Sequence, residues 1–312
     1  MIDSLTNERS SEVEREFEVL ITLMADMIMG HAEANQHVHP PKWALDLHVL
    51  SMKLFKHLCS IRTLLKPCGL ETGTLPRFGY IDHSSVSALT RTAVENYLVM
   101  YWLYSNGDES LREFRHTVWK YCGWKKRSKL VPTIEEAKIS HQEAVDTAAE
   151  LMARIEASPY FKDYSVADKK SLRKGNWSAG SNWNDLAEKA GLHRIYFTSI
   201  YPYLSGYTHS DFISCLQIGQ AQTLNVQYSL GVASLQISLL MIGHFSHFYA
   251  ELFPTAKEIL EHSGEAFELA TKWHIKTDDM AFLYDRVGVD ETSPAQEGHT
   301  PGSAPPPPPA NR

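Results

Sequence analysis

Cysteine is scarce in this chain of 312 residues: there are 4, at Cys59, Cys68, Cys122 and Cys215, and no two form C-x-x-C. That spacing excludes a zinc ribbon and a thioredoxin-like redox motif. Scattered thiols suit a reducing compartment, so a cytoplasmic protein is expected. An excess of positive charge is also missing. The formal net charge of -7 argues against a general nucleic-acid coat and leaves only local basic patches open. The first residues show no basic stretch leading into an apolar one, so no secretory signal is expected. No convincing strand pair and no internal repeat stand out. Between Asp211 and Glu251 there is no Asp, Glu, Lys or Arg at all. That run is long enough to span a bilayer, but it carries Ser229, Gln236, His244, Ser246 and His247, which are costly in hydrocarbon. A helix at the centre of a bundle is expected instead, with no membrane.

What is present is helical. Composition is 43% hydrophobic and 21% charged, enough for a sizeable core. Over 11–34, Phe17, Leu20, Ile21, Met24, Met27 and Ile28 recur at three- and four-residue steps, as do Leu47, Leu50, Leu54, Leu58 and Ile61 over 42–65. Further helices are expected over 84–104, capped by Asp82 or Ser84, and over 109–129 with a break near Gly123. A polar helix follows over 134–157, capped by Thr133. A short one covers 184–189, and one over 196–209 accommodates Pro202 in its first turn. The uncharged helix spans 226–252 and stops at Pro254, and a last helix covers 255–276. The fold class is therefore all-α: a multi-helix bundle around a long uncharged core helix. Residues 1–288 form the helical domain, with a subdivision near 131–180. Residues 289–312, ending in Pro305 to Pro309, read as a disordered tail.

Four constellations carry chemistry. Arg91 and Glu95 are four apart on one helix face and pair there. The segment Tyr201-Pro-Tyr-Leu-Ser-Gly-Tyr-Thr-His-Ser-Asp211 concentrates hydroxyl and imidazole groups, and its Ser205 and His209 share a face. Without a nucleophile elbow, G-x-S-x-G, a serine hydrolase is not expected. His244 and His247 are three apart, and His31, His37 and His39 cluster, but no metal and no cofactor are expected from either group. Last, Arg112, Arg115, His116, Lys120, Lys125, Lys126, Arg127 and Lys129 interleave with Phe114, Trp119, Tyr121 and Trp124, and a second basic piece precedes Trp177. Cations neutralise phosphates and aromatics stack on unpaired bases, which suits single-stranded RNA. A solvated helix face with inward aromatics is the plainer alternative.

The helix containing Arg91-x-x-x-Glu95, then Asn176-Trp177-Ser-Ala-Gly-Ser181, then Tyr203-Leu204-Ser205 with His209, resembles a broad family of bacterial all-helical proteins of unknown function. Its pattern is R-x-x-x-E, W-x-G-x-S and Y-x-x-L-S-x-x-x-H; here Gly180 lies one residue further from Trp177. The resemblance implies a bundle that brings Arg91, Glu95, Trp177, Tyr203, Ser205 and His209 together and implies no reaction. A looser likeness is to HEPN-type helical ribonucleases, which pair an Arg with a His on one helix. Arg112-Glu-Phe-Arg-His116 comes near, with three intervening residues. Two functions stay open: a helical module that binds a small polar ligand or is structural, and a metal-independent endoribonuclease of a defence or toxin system. In the second, His209 or His116 is the acid-base group, Arg91 or Arg112 the phosphate clamp, and Lys125, Lys126 and Arg127 part of the RNA track. HEPN-type proteins often dimerise, so a homodimer also stays open.

Overall fold

The computed structural model describes residues 2–34, 42–71, 73, 78–105 and 107–285. The expected tail, His37 and His39 lie outside them. The chain is all-α, with fourteen helices among the described residues. Helices α1 (Ile2–Ala34), α2 (Lys42–Leu64) and α3 (His83–Tyr104) come first, followed by α4 (Glu109–Arg127) and α5 (Glu135–Ala157). Short α6 (Pro159–Lys162), α7 (Val166–Arg173) and α8 (Trp183–Lys189) lead to α9 (Arg194–His209) and α10 (Phe212–Gln220). Then come α11 (Leu224–Leu252), α12 (Pro254–Glu261), α13 (Glu265–Trp273) and α14 (Thr277–Asp285).

The uncharged run is the axis of the bundle. α11 is long and apolar enough to cross a membrane, and 61% of its most apolar window is buried inside the fold. It packs against α1, α3, α12 and α13, which accounts for an apolar surface all round. Two of its buried hydroxyls find partners on α3. Ser234 Oγ lies 2.9 Å from Ser87 Oγ, and Ser238 Oγ lies 3.3 Å from Thr90 Oγ1. A buried hydroxyl without such a partner would cost free energy. α1 is tied to α13 through the buried Glu16 carboxylate, which accepts from Lys272 Nζ at 2.6 Å and Trp273 Nε1 at 2.7 Å.

A second apolar cluster is separate from this core. Phe114, Val118, Tyr121 and Cys122 of α4 meet Leu151 and Ile155 of α5, Phe161 of α6 and Leu172 of α7. Trp102, near the end of α3, packs against both clusters. One face of α4 is thereby buried against α5, and Gly123, Lys126 and Arg127 near its end are exposed.

Several expectations need correction. α4 runs straight through Gly123, because its packing on α5 outweighs the cost of one glycine, about 1 kcal/mol. α5 has Ile134 at its N-cap position and no side-chain cap, so Thr133 does not serve. α9 begins at Arg194, with His193 accepting from the Tyr196 amide, so Pro202 lies inside the helix, where it is exposed and removes one backbone donor. The expected last helix is two, because Gly264 at φ 58° breaks it between α12 and α13, and α14 follows beyond its expected end. α10 was not foreseen; Asp211 caps it by accepting from the Ser214 amide at 2.8 Å. A strand pair does exist: β1 (Cys68–Leu70) runs antiparallel to β2 (Phe78–Tyr80), with Gly69 opposite Gly79. Three-residue strands centred on glycine leave no alternation to detect.

Candidate functional site

Two groups of polar residues emerge, and they differ in kind. The first joins α3 to α9. Arg91 Nη2 lies 2.9 Å from Glu95 Oε1 and donates to the Tyr201 hydroxyl at 3.2 Å. Tyr201 in turn donates to Glu95 Oε1 at 2.6 Å. Arg91 Nη1 lies 3.2 Å from His209 Nε2. A guanidinium has no acceptor, so Nε2 accepts and the imidazole proton sits on Nδ1. Burial works against the Arg91 charge, but the Tyr201 hydroxyl and Glu95 outweigh it and hold its pKa above the usual value. Burial and the Glu95 hydrogen bond push Tyr201 up to about 12. Arg91 Nε is buried without a partner. The groups otherwise satisfy one another, and the side chains of Arg91 and Glu95 are only 17% and 28% exposed.

Tyr201, Ser205 and His209 recur every four residues and so share one face of α9. Ser205 is half-buried between the other two and makes no hydrogen bond in the network. Tyr203 points elsewhere, stacking edge-on against Tyr207 at 5.4 Å. The tyrosine that matters here is Tyr201. Its signal was the same four-residue spacing that linked Ser205 to His209.

The second group lies on the side of α4 that meets α2 at His116. Arg112, His116, Lys120, Gly123 and Arg127 fall at steps of four, four, three and four, which form one stripe. Beside the stripe is a cleft of about 470 Å³. Its walls hold three half-buried tryptophans, Trp119, Trp124 and Trp177. Its cations are Lys120, Lys126 and Arg127, and Asp46 of α2 closes one side. Gly123 is among the lining residues, and a Cβ placed on it would meet nothing within 4 Å. The Arg127 guanidinium is 5.6 Å from the Trp124 ring centroid. Lys125 does not line the cleft; its stem lies against Gly175.

At the edge of the cleft, His116 Nε2 lies 2.7 Å from Asp46 Oδ2. Burial pushes the His116 pKa down, and the Asp46 carboxylate only partly offsets it. The imidazole is therefore neutral at pH 7 and donates through Nε2. Nearby, the Arg112 guanidinium lies 4.7 Å from the Trp43 ring centroid. The Tyr104 hydroxyl is fully buried and has no hydrogen-bond partner. Removing a buried, unpaired hydroxyl relieves its desolvation penalty. Tyr104→Phe should therefore raise stability by about 1 kcal/mol, read as a shift in denaturant midpoint; a loss of similar size would mean that the hydroxyl has a partner in solution.

The two groups are joined by aromatic rings. Trp102 meets Trp177 at 5.0 Å, Trp177 meets Trp183 at 5.9 Å, and Trp183 meets Tyr201 at 6.1 Å. Trp177 thus serves the cleft and leads to the Arg91 network, while His116 stays apart from His209. Asp46 and Tyr201 are the residues that sequence reasoning missed.

No group of three or more His, Cys, Asp or Glu among the described residues has metal-holding geometry. The stretch Glu113-Phe-Arg-His116 has the Glu-x-x-His spacing of helical metal sites, but Glu113 is exposed on Arg154 and His116 is buried on Asp46. The histidines of α11 pack with His274 instead: His244 and His247 lie 4.7 and 4.2 Å from it, centroid to centroid.

A family model described as a family of unknown function (DUF5677) matches residues 47–221. The matched stretch holds Arg91, Glu95, His116, Tyr201, His209 and all three tryptophans of the cleft, and Asp46 lies one residue before it. No curated protein and no solved structure matches the chain.

Proposed function

The chain belongs to DUF5677, a family of unknown function, and from that premise we propose that it is a helical module that binds a nucleotide unit, free or in unpaired RNA, in the cleft of α4. One observation carries the reading: three half-buried tryptophans and three cations share a cleft of about 470 Å³. Indole faces stack on unpaired bases whatever their identity, and the cations neutralise phosphate. Ligand sites combine an apolar lining with a few placed polar groups in this way. The Arg91–Glu95–Tyr201–His209 network has a different part. Its guanidinium, carboxylate and phenol bond one another across two helices, so it fastens α9 to α3 and organises the fold, rather than receiving the ligand.

Titration of the protein with a single-stranded RNA octamer, followed by tryptophan fluorescence at several salt concentrations, tests this. Quenching is expected. Lys126→Glu with Arg127→Glu should weaken binding on the order of 100-fold and make the salt dependence shallower by roughly 1.4 in log K against log salt, two contacts being lost. Unchanged affinity in the double variant would take the cleft out of the function.

A metal-independent endoribonuclease is the second reading. It is favoured by the position of the Asp46-paired His116, on the same α4 stripe as Arg112 and the cleft residues Lys120, Gly123 and Arg127. A neutral imidazole oriented by a carboxylate suits a general base. In the same preparation, EDTA-resistant cleavage of the octamer lost in His116→Ala would establish it. Loss in His209→Ala instead would move the chemistry to the Arg91 network.

A further inference from the structure

We propose that the cleft selects guanine and that Asp46 reads the base. This rests on the nucleotide reading above and adds the identity of the ligand to it.

Among the described residues lining the cleft, Asp46 is the one carboxylate; the others are three indoles, three cations, Cys122 and Gly123. It is held in place. His116, whose side chain is 8% exposed, donates to Asp46 Oδ2, and the Asp46 side chain remains 34% exposed. His116 is a positioning residue in this arrangement, since it acts on the ligand only through Asp46. An ionised carboxylate offers about four lone-pair sites over two oxygens. The histidine occupies one. Oδ1 and the second lone pair of Oδ2 remain for a ligand in the cleft.

Two parallel N–H donors match a carboxylate best, as in its paired bonds with a guanidinium. Guanine presents such a pair on its Watson–Crick edge, the N1 imino and N2 amino groups. Adenine presents one amino group beside the N1 acceptor, and cytosine one amino group beside the N3 acceptor. Uracil places a single imino group between two carbonyls, whose oxygens a carboxylate repels. Stacking on Trp119, Trp124 and Trp177 tolerates every base, and Lys120, Lys126 and Arg127 meet phosphate alike in every nucleotide. Discrimination therefore falls to Asp46. A site built to accept from a ligand N–H rejects analogues that lack it, because its own polar group is left unpaired.

The experiment is titration of the full chain with GMP, IMP and AMP, followed by tryptophan fluorescence, in the unaltered protein and in Asp46→Asn. IMP keeps the N1 imino group and lacks the N2 amine. Affinity should fall about tenfold from GMP to IMP and on the order of 100-fold from GMP to AMP, roughly tenfold for each lost bond. In Asp46→Asn, which presents one acceptor and one donor, the preference for GMP over AMP should shrink to within about threefold. Equal binding of the three nucleotides by the unaltered protein would overturn the selection and leave nucleotide binding standing. A preference for GMP that persists in Asp46→Asn would overturn the role of Asp46. Absence of binding by all three would overturn the selection together with the reading it rests on. The IMP comparison uses the unaltered protein, so it decides even where the variant folds poorly.

Discussion

Gly123→Leu should make the protein more stable and deprive the cleft of its ligand. The two effects have separate causes. Gly123 sits inside α4, where glycine costs roughly 1 kcal/mol relative to a good helix former. A Cβ there meets nothing within 4 Å, so no overpacking offsets the gain. Gly123 is also one of the residues that line the cleft. A leucine there would add bulk to the lining on which the proposed base stacks, and a lost stack is worth about 1–3 kcal/mol. Binding should therefore fall on the order of 100-fold, while the denaturation midpoint rises. The opposite signs separate this result from simple misfolding, which lowers both. Full affinity in a stabilised Gly123→Leu protein would show that the ligand does not lie on α4.

Gly123 also shows where the sequence was legible. It reads as a helix breaker, because a window of sequence holds the cost of glycine and not the α5 surface that offsets it. Where one helix carries its own reason, sequence sufficed. The apolar stripes of α1 and α2, the Asp82 cap of α3 and the uncharged α11 are all local patterns. α10 and the strand pair were not legible, since each is short and is set by its neighbours. α10 is held by a cap on Asp211, and the strands pair through glycines.

The candidate site divides along the same line. Arg91 and Glu95 are one turn apart, and the α4 cations and tryptophans lie within twenty residues of each other, so both could be seen. Asp46 is a lone acid in α2, and its link to His116 crosses 70 positions that no spacing encodes. Trp177 reaches the cleft from the far side of α5 to α7, again through tertiary packing. Tyr201 was within reach, but Tyr203 drew attention because it adjoins Leu204-Ser205. Helical periodicity puts Tyr201, and not Tyr203, on the face of His209.

The largest effect on stability should come from acid. His244 is buried on α11 and lies among His247, His274, Lys276 and the Tyr97 ring. Its Nε2 donates to the Ile275 carbonyl at 2.9 Å. Burial first, then the charges of Lys276 and His247, push its pKa down to about 4, against 6.5 for a free histidine. Burial and the same neighbours push His274 down to about 3. For a histidine with a depressed pKa, the unfolded chain takes up a proton before the folded one does. Stability is therefore full above pH 6.5 and falls as the pH drops toward about 4, where the folded protein begins to protonate too. At 1.36 kcal/mol per unit, His244 alone accounts for about 3 kcal/mol of loss across that window. His274 is half-exposed and coupled to His244, so it adds less than its own shift suggests. Denaturant melts at pH 7.5, 6, 5 and 4.5 should show the decline, and His244→Gln, which can still donate to Ile275, should flatten it by more than half. An equally steep decline in His244→Gln would show that His244 is not the group responsible for the acid sensitivity. The cluster lies away from the cleft, so at pH 6 nucleotide affinity in His244→Gln should match that of the unaltered protein.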